Sequence, residues 1–206
     1  MATIPAALIA HDLKNALSAL EGELAFLADA PDVDRAKTAH HHCVDLRRQF
    51  VQFLMVYGSE DGLRAHCEDE SPQDVLASVL RSGTSRCAHL PHAPQIHLAA
   101  SDAAPPYWYF DVRLVQLALD AALHNACRFG REQVTLSARQ ESGYLVLAID
   151  DDGPGLGSAD DCDTSTGLGT ELCRSVALAH RSGDKVGRIE LFGRPQGGTR
   201  FELWLP

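Results

Sequence analysis

Two long helical stretches with almost nothing between them constrain this chain more than any other feature. From Ala6 to Ala30 the residues Leu8, Leu13, Leu17, Leu20, Leu24 and Leu27 recur at spacings of three to five, drawing one apolar stripe along a helix. Pro31-Asp32 ends that pattern, because proline lacks a backbone N–H and does not fit a helix interior. A second helical pattern runs from about Asp34 to Tyr57, with Val44, Phe50, Val51, Leu54 and Tyr57 in its apolar set. Helices of this length on so short a link must fold back as an antiparallel hairpin. Alone, such a hairpin leaves apolar surface bare. The pattern therefore predicts two copies of the chain paired as a four-helix bundle, a homodimer.

Beyond the hairpin the composition changes. Gly58 to Pro72 carries GSEDG and EDESP and reads as a linker, placed at 61–72 between a hairpin of residues 1–60 and a domain of residues 73–206. In that domain Asp74 to Arg81 reads as a helix and Gln95 to Ala99 as a strand. Asp111 is placed to cap a helix that reaches Phe129, and Gly130 to end it. The runs starting at Val134 and Tyr144 form a hairpin across an ESG turn. A helix over Glu171 to His180 precedes two closing strands, Arg188 to Phe192 and Thr199 to Leu205. Helices and strands that do not alternate regularly point to an α+β sandwich with helices on one sheet face.

The formal net charge of −10 argues against nucleic acid or an anionic membrane as a partner, since neither phosphate surface attracts such a chain. No stretch approaches the roughly 20 apolar residues that span a bilayer, so no membrane insertion is expected. Six cysteines lie scattered without a CxxC pair, which favours reduced thiols, and the N-terminus lacks the basic start of a secretion signal. A cytoplasmic protein is expected.

Several residues are out of place in these patterns. HDLKN, His11 to Asn15, interrupts a helix otherwise rich in Ala and Leu. LDAALHNACRF puts Asn125 and Arg128 about one turn apart on a helix. IDDDGPGLG is an apolar strand that ends in acids and is followed by Gly153 and Gly155, and TSTGLGTEL sets Gly167 and Gly169 just before a helix. Glycines at a helix start let backbone N–H groups approach phosphate oxygens, where the helix dipole also favours negative charge. A carboxylate at a strand end can accept a hydrogen bond from an amino group on a flat base, and an Asn oxygen suits magnesium. His40-His41-His42-Cys43 invites a metal, but consecutive helical residues point about 100° apart, so the run reads as a polar helix face. Trp108 and Trp204 read as packing residues.

In this order the elements resemble bacterial sensor histidine kinases. LDAALHNACRF looks like the N-box, DDGPG the G1 box, TGLG the G2 box and GGTRFELWLP the last strands of the ATP-binding domain, the fold shared with gyrase and Hsp90. HDLKN resembles the H-box, which carries a phosphoacceptor histidine on a dimerising hairpin. The resemblance implies ATP and magnesium as cofactors. It makes His11 the phosphoacceptor, Asn125 the magnesium ligand, Asp151 the adenine-binding acid, and Gly153, Gly155, Gly167 and Gly169 the nucleotide-loop glycines. Asp150 and Asp152 flank Asp151, and spacing to the glycines selects the middle acid. Arg128 either touches phosphate or is a solvated side chain. Asp12 would hold the His11 ring or take its proton, and Asn15, four positions on, shares its side of the helix. The implied activity is autophosphorylation of His11 by ATP and transfer to an aspartate on the receiver domain of a response regulator.

The pattern also departs from the family. An Asn usual one turn before Asn125 is replaced by Ala121, which cannot activate water, so ATP hydrolysis as the main reaction is disfavoured. Only LGSADDCDTST stands where kinases carry a long ATP lid, and Ala16 replaces the H-box proline. His11 lies so near the start that a separate sensor protein is expected to deliver the signal. The alternative is a histidine phosphotransferase or phosphatase adaptor that relays phosphate without using ATP, since such proteins also have truncated lids.

Overall fold

A computed structural model describes residues 6–58, 62–87, 93–99, 103–156 and 167–206. The chain divides into two compact units, one of Met1–Gly62 with Thr166–Leu168 and a larger one of Leu63–Ser165 and Gly169–Pro206.

In the first unit α1 (Ala6–Asp29) and α2 (Val33–Tyr57) form the expected antiparallel hairpin. Asp32 caps α2 by accepting from the Arg35 backbone N–H at 2.7 Å, a contact worth about 1 kcal/mol. Ile9 and Leu13 of α1 pack with Leu46, Phe53, Val56 and Tyr57 of α2. Toward the loop, Glu23 takes His42 Nδ1 at 2.9 and 3.0 Å, and the Arg35 guanidinium lies 4.3 Å over the Phe26 ring. His42 thus serves the helix pairing, and among the described residues no group of three or more His, Cys, Asp or Glu is placed to hold a metal. Nor is any helix there long and apolar enough to cross a membrane.

The second unit has α3 (Pro72–Cys87), α4 (Val112–Phe129) and α5 (Leu168–Ala179) with a five-stranded sheet. The strands are β1 (Glu68–Glu70), β2 (Gln95–Leu98), β3 (Trp108–Phe110), β4 (Gln133–Glu141), β5 (Tyr144–Asp151), β6 (Arg181–Ser182), β7 (Lys185–Val186), β8 (Arg188–Gly193) and β9 (Thr199–Leu205). The main sheet runs β2-β4-β5-β9-β8, parallel between β2 and β4 and antiparallel elsewhere. Ser142 and Gly143, both at positive φ, make the two-residue turn that the ESG sequence announces between β4 and β5.

Alternation along the strands gives the sheet two faces. Leu136, Leu147, Ile149, Leu203 and Leu205 turn inward with Val115, Ala118 and Leu119 of α4, all nearly or fully buried. At about 1.5–3 kcal/mol for each large side chain, this layer is the main source of the unit's stability. The helix-free face is covered by stacked cations instead. Arg188 lies 3.9 Å over the Trp204 ring and 4.9 Å over Tyr144, while Glu202 joins Arg139 to the Trp204 indole N–H.

Two differences from the sequence reading are instructive. The acid-rich stretch read as linker contains β1, whose Glu68, Asp69 and Glu70 pair with Phe110, Tyr109 and Trp108. No propensity favours strand in Glu-Asp-Glu, so the partner strand dictates it. The helix expected over Asp74 to Arg81 runs from Pro72 to Cys87, with proline at its first position, where a missing N–H costs nothing.

Candidate functional site

The sequence-selected residues fall into two groups, one in each unit. On α1 the inward side is set by Ile9, Leu13 and Leu20. His11 is two residues from Ile9, about 200° around the helix, and so its side chain is 63% exposed. Asn15 Nδ2 lies 3.2 Å from His11 Nδ1, and Asp12 Oδ1 lies 3.7 Å from the same nitrogen. Both neighbours converge on Nδ1.

In the second unit, α4, α5 and strands β5, β8 and β9 enclose a cavity of about 230 Å³. Asn125, Asp151, Gly155 and Gly169 line it. Phe129, Ile149, Ile189, Leu191 and Phe201 supply an apolar lining suited to a flat ring. Its volume fits a base better than a whole nucleotide, since drug-sized ligands occupy roughly 300–1,000 Å³.

The three consecutive acids at the end of β5 have separate tasks. Asp150 faces the outer side and is held by Arg200 through two contacts at 2.5 Å. Asp152 leaves the strand and accepts the backbone N–H groups of Arg131, Glu132 and Gln133 at 2.8 to 3.1 Å, tying β5 to the start of β4. Against the burial that pushes it up, those donors hold its carboxyl below the usual range. Asp151 points inward, 6% exposed. Its Oδ1 accepts from Gly153 N–H at 2.9 Å and Thr199 N–H at 3.0 Å. Its Oδ2 has no protein partner among the described residues. Burial raises the Asp151 pKa despite the two backbone donors, with the Asp152 charge adding to the rise.

Asn125 faces the cavity with its carboxamide unbonded among the described residues, 3.7 Å from where a Cβ on Gly169 would stand. One turn earlier Ala121 is 2% exposed and packs near the same point, so the small residue fits the close approach of α5. Gly153 lies beneath the cavity floor, where a side chain would run into the Phe129 carbonyl oxygen. Gly167 precedes α5 with φ +65° and is not part of the lining. Arg128 is exposed, stacks 5.2 Å from the Phe129 ring and does not line the cavity. The shortened lid, residues 157–166 with Asp160, Asp161 and Asp163, lies outside the described residues. Burial pushes the Cys173 thiol on the cavity wall up to about 12, which leaves it a neutral packing group.

Sequence reasoning missed Thr199, Arg194 and the β8 side chains Ile189 and Leu191. The GGT run was visible, but its hydrogen bond to Asp151 spans 48 residues and exists only once β9 pairs with β5.

Residues 110–206 match the family described as histidine kinase-, DNA gyrase B- and HSP90-like ATPase. The second unit has the histidine kinase-type ATPase fold. Over 96% of its length the whole chain is also 28% identical to sensor protein kinase CarS of Pseudomonas aeruginosa, of which it spans 45%. The structure is similar to that of the Acinetobacter baumannii histidine kinase AdeS, with TM-score 0.71, 23% identity and 95% of this chain and 96% of that one covered. It is similar too to the histidine kinase ThkA, solved in complex with the response regulator protein TrrA, with TM-score 0.69, 15% identity and 97% and 60% of the two chains covered. The alignment with CarS thus takes in both the helical hairpin and the second unit.

Proposed function

We propose that this chain is the ATP-using core of a two-component signalling protein, transferring the γ-phosphoryl group of ATP to His11 and then to an aspartate on a response regulator. The observation that carries the reading is Asp151: a buried carboxylate fixed at one oxygen and, among the described residues, without a protein partner at the other, beside an apolar slot of base size. That oxygen accepts the exocyclic amino group of adenine. The backbone at Gly167 and Gly169 opens α5, whose N-terminal dipole favours the phosphates. Asn125 is the residue that would hold magnesium, because its carboxamide faces the cavity and has no hydrogen-bond partner among the described residues. Bound with the nucleotide, that ion supplies positive charge at the transferring phosphoryl group.

On the hairpin, nucleophilic attack needs a lone pair at Nε2 of His11 and therefore a proton on Nδ1. Asn15 accepts that proton's hydrogen bond with its carboxamide oxygen turned to the ring, the two ends of such a group being interchangeable by rotation, and the Asp12 carboxylate stands 3.7 Å from the same nitrogen. The exposed imidazole suits a group that must meet both a nucleotide and a receiver domain, and the ThkA–TrrA complex is consistent with such a partner. Leu17 and Leu24 of α1 with Phe50, Val51 and Leu54 of α2 stay exposed on the single hairpin, which supports a homodimeric bundle.

Incubation with γ-labelled ATP and magnesium tests the reading. Acid-labile label is expected on the wild type and none on His11→Ala, and a receiver domain should then take the label. A wild type that binds no nucleotide and accepts label only from a phosphorylated regulator would reduce the chain to a relay.

A further inference from the structure

The turn joining β8 to β9 is bonded back onto the end of β5, and one side chain in it has no task in phosphoryl transfer as described above. Arg194 Nη1 donates to the backbone carbonyl oxygen of Asp151 at 2.8 Å. Its own backbone N–H donates to the Gly198 carbonyl at 3.0 Å, and its carbonyl accepts from Gly197 N–H at 3.1 Å. Arg194 therefore closes the turn and grips the strand beneath it. Across this closure Thr199 reaches Asp151 Oδ1, and Gly198 approaches the Asp151 carbonyl so closely that no Cβ would fit.

Charge pairing does not account for this arginine. Its Nε stands 3.7 Å from Asp150 Oδ1, but Arg200 already holds both oxygens of that carboxylate. A second, longer ion pair on a group that is part-exposed adds little. What Arg194 provides besides is the charge-assisted hydrogen bond to the Asp151 carbonyl, with its positive charge also close enough to favour the Asp151 carboxylate. With that oxygen and Oδ1 both fixed, Oδ2 has one direction in which to accept a donor. A single acceptor in a desolvated slot discriminates only while its aim is kept.

We propose that Arg194 is a positioning residue for base recognition: through the Asp151 carbonyl and the β8–β9 turn it aims the free Asp151 oxygen at the exocyclic amino group of the purine. The inference rests on the nucleotide reading of the cavity and adds to it the residue that sets base selectivity.

Calorimetric titration of the full chain, with magnesium, compares ATP with purine riboside triphosphate, which lacks the 6-amino group. The wild type should prefer ATP by about tenfold or more, since the analogue leaves a buried acceptor unpaired. Arg194→Ala should weaken ATP binding by about tenfold and leave the analogue unchanged, so that the preference collapses. Arg194→Lys, which keeps a charged donor within reach of the carbonyl, should recover most of it. An equal loss for both ligands in Arg194→Ala would make the residue a mere turn anchor and overturn the proposal, as would an unaltered preference. A wild type that binds neither ligand overturns the nucleotide reading itself, an outcome distinct from both.

Discussion

His11 and Asp151, the two side chains on which the proposed function rests, have opposite surroundings. The imidazole is 63% exposed on the outer side of a helix, with Asn15 and Asp12 as its polar neighbours among the described residues. The carboxylate is 6% exposed and is held by contacts drawn from the Gly153 turn, β9 and the β8–β9 turn. A group that must present itself to different partners gains from being unencumbered, whereas one that must recognise a single small ring gains from having its orientation settled in advance. Substitutions at the two places should therefore fail differently: at the helix in chemistry alone, in the cavity in chemistry and stability together.

The largest expected effect is His11→Ala, which should cut phosphorylation by at least about 1,000-fold while shifting stability within ~0.5 kcal/mol, the range for exposed surface positions. Thermal melting beside the labelling assay checks both halves, and a large drop in melting temperature would break the contrast. Next comes Asp151→Asn. Its amide sets N–H groups against the donors of Gly153 or the base, and nucleotide affinity should fall about 100-fold by titration. Gly198→Ala should follow, losing about 2–4 kcal/mol in denaturant unfolding, because the residue sits at φ +88° against the Asp151 carbonyl. The matching change in the hairpin, Gly22→Ala on α1, meets nothing within 4 Å and should instead stabilise by about 0.5–1 kcal/mol. Equal signs for the two glycine changes would erase the distinction.

A smaller effect follows from His180. Its Nδ1–H donates to the Val176 carbonyl at 2.7 Å and its Nε2 accepts from the Asp111 backbone N–H at 3.0 Å, so the buried ring is neutral. Burial lowers its pKa, against the Val176 bond and the Asp111 charge that raise it. The unfolded chain then binds the extra proton first, near pH 6.5, and stability should decline as pH falls below that value. Asp111 behaves otherwise: burial raises its pKa, but the His66 and Leu114 backbone donors outweigh this and keep it low, so its share is lost only below about pH 4. Melting temperatures from pH 8 to pH 5 in the wild type and His180→Gln separate the windows, and a slope unchanged in the variant would acquit the histidine.

The hairpin was readable because its information is local: leucine spacing, a proline break and an Asp cap lie within a few residues of what they control. The same holds for Asp111, which caps α4 through the N–H groups of Arg113 and Leu114. Selecting Asp151 among three acids was also possible in principle, since Leu147, Ile149 and Asp151 share the inward face by alternation. What the sequence withheld depends on long closures. Arg194 meets Asp151 across 43 residues, and Glu68–Glu70 becomes a strand only where Trp108–Phe110 lies alongside it. Charge and composition carry no trace of such meetings.

The helix-free side of the sheet has a final consequence. Guanidinium groups lie over the Trp204 and Tyr144 rings there, and their charges are answered by Glu190 and Glu202. A wall tiled in this way keeps the Trp204 ring out of water, at 6% exposure. The ATPase unit can thus be two layers thick without a further helix to roof it, and lysine at position 188, with the same charge but no flat plate, would leave gaps in the tiling.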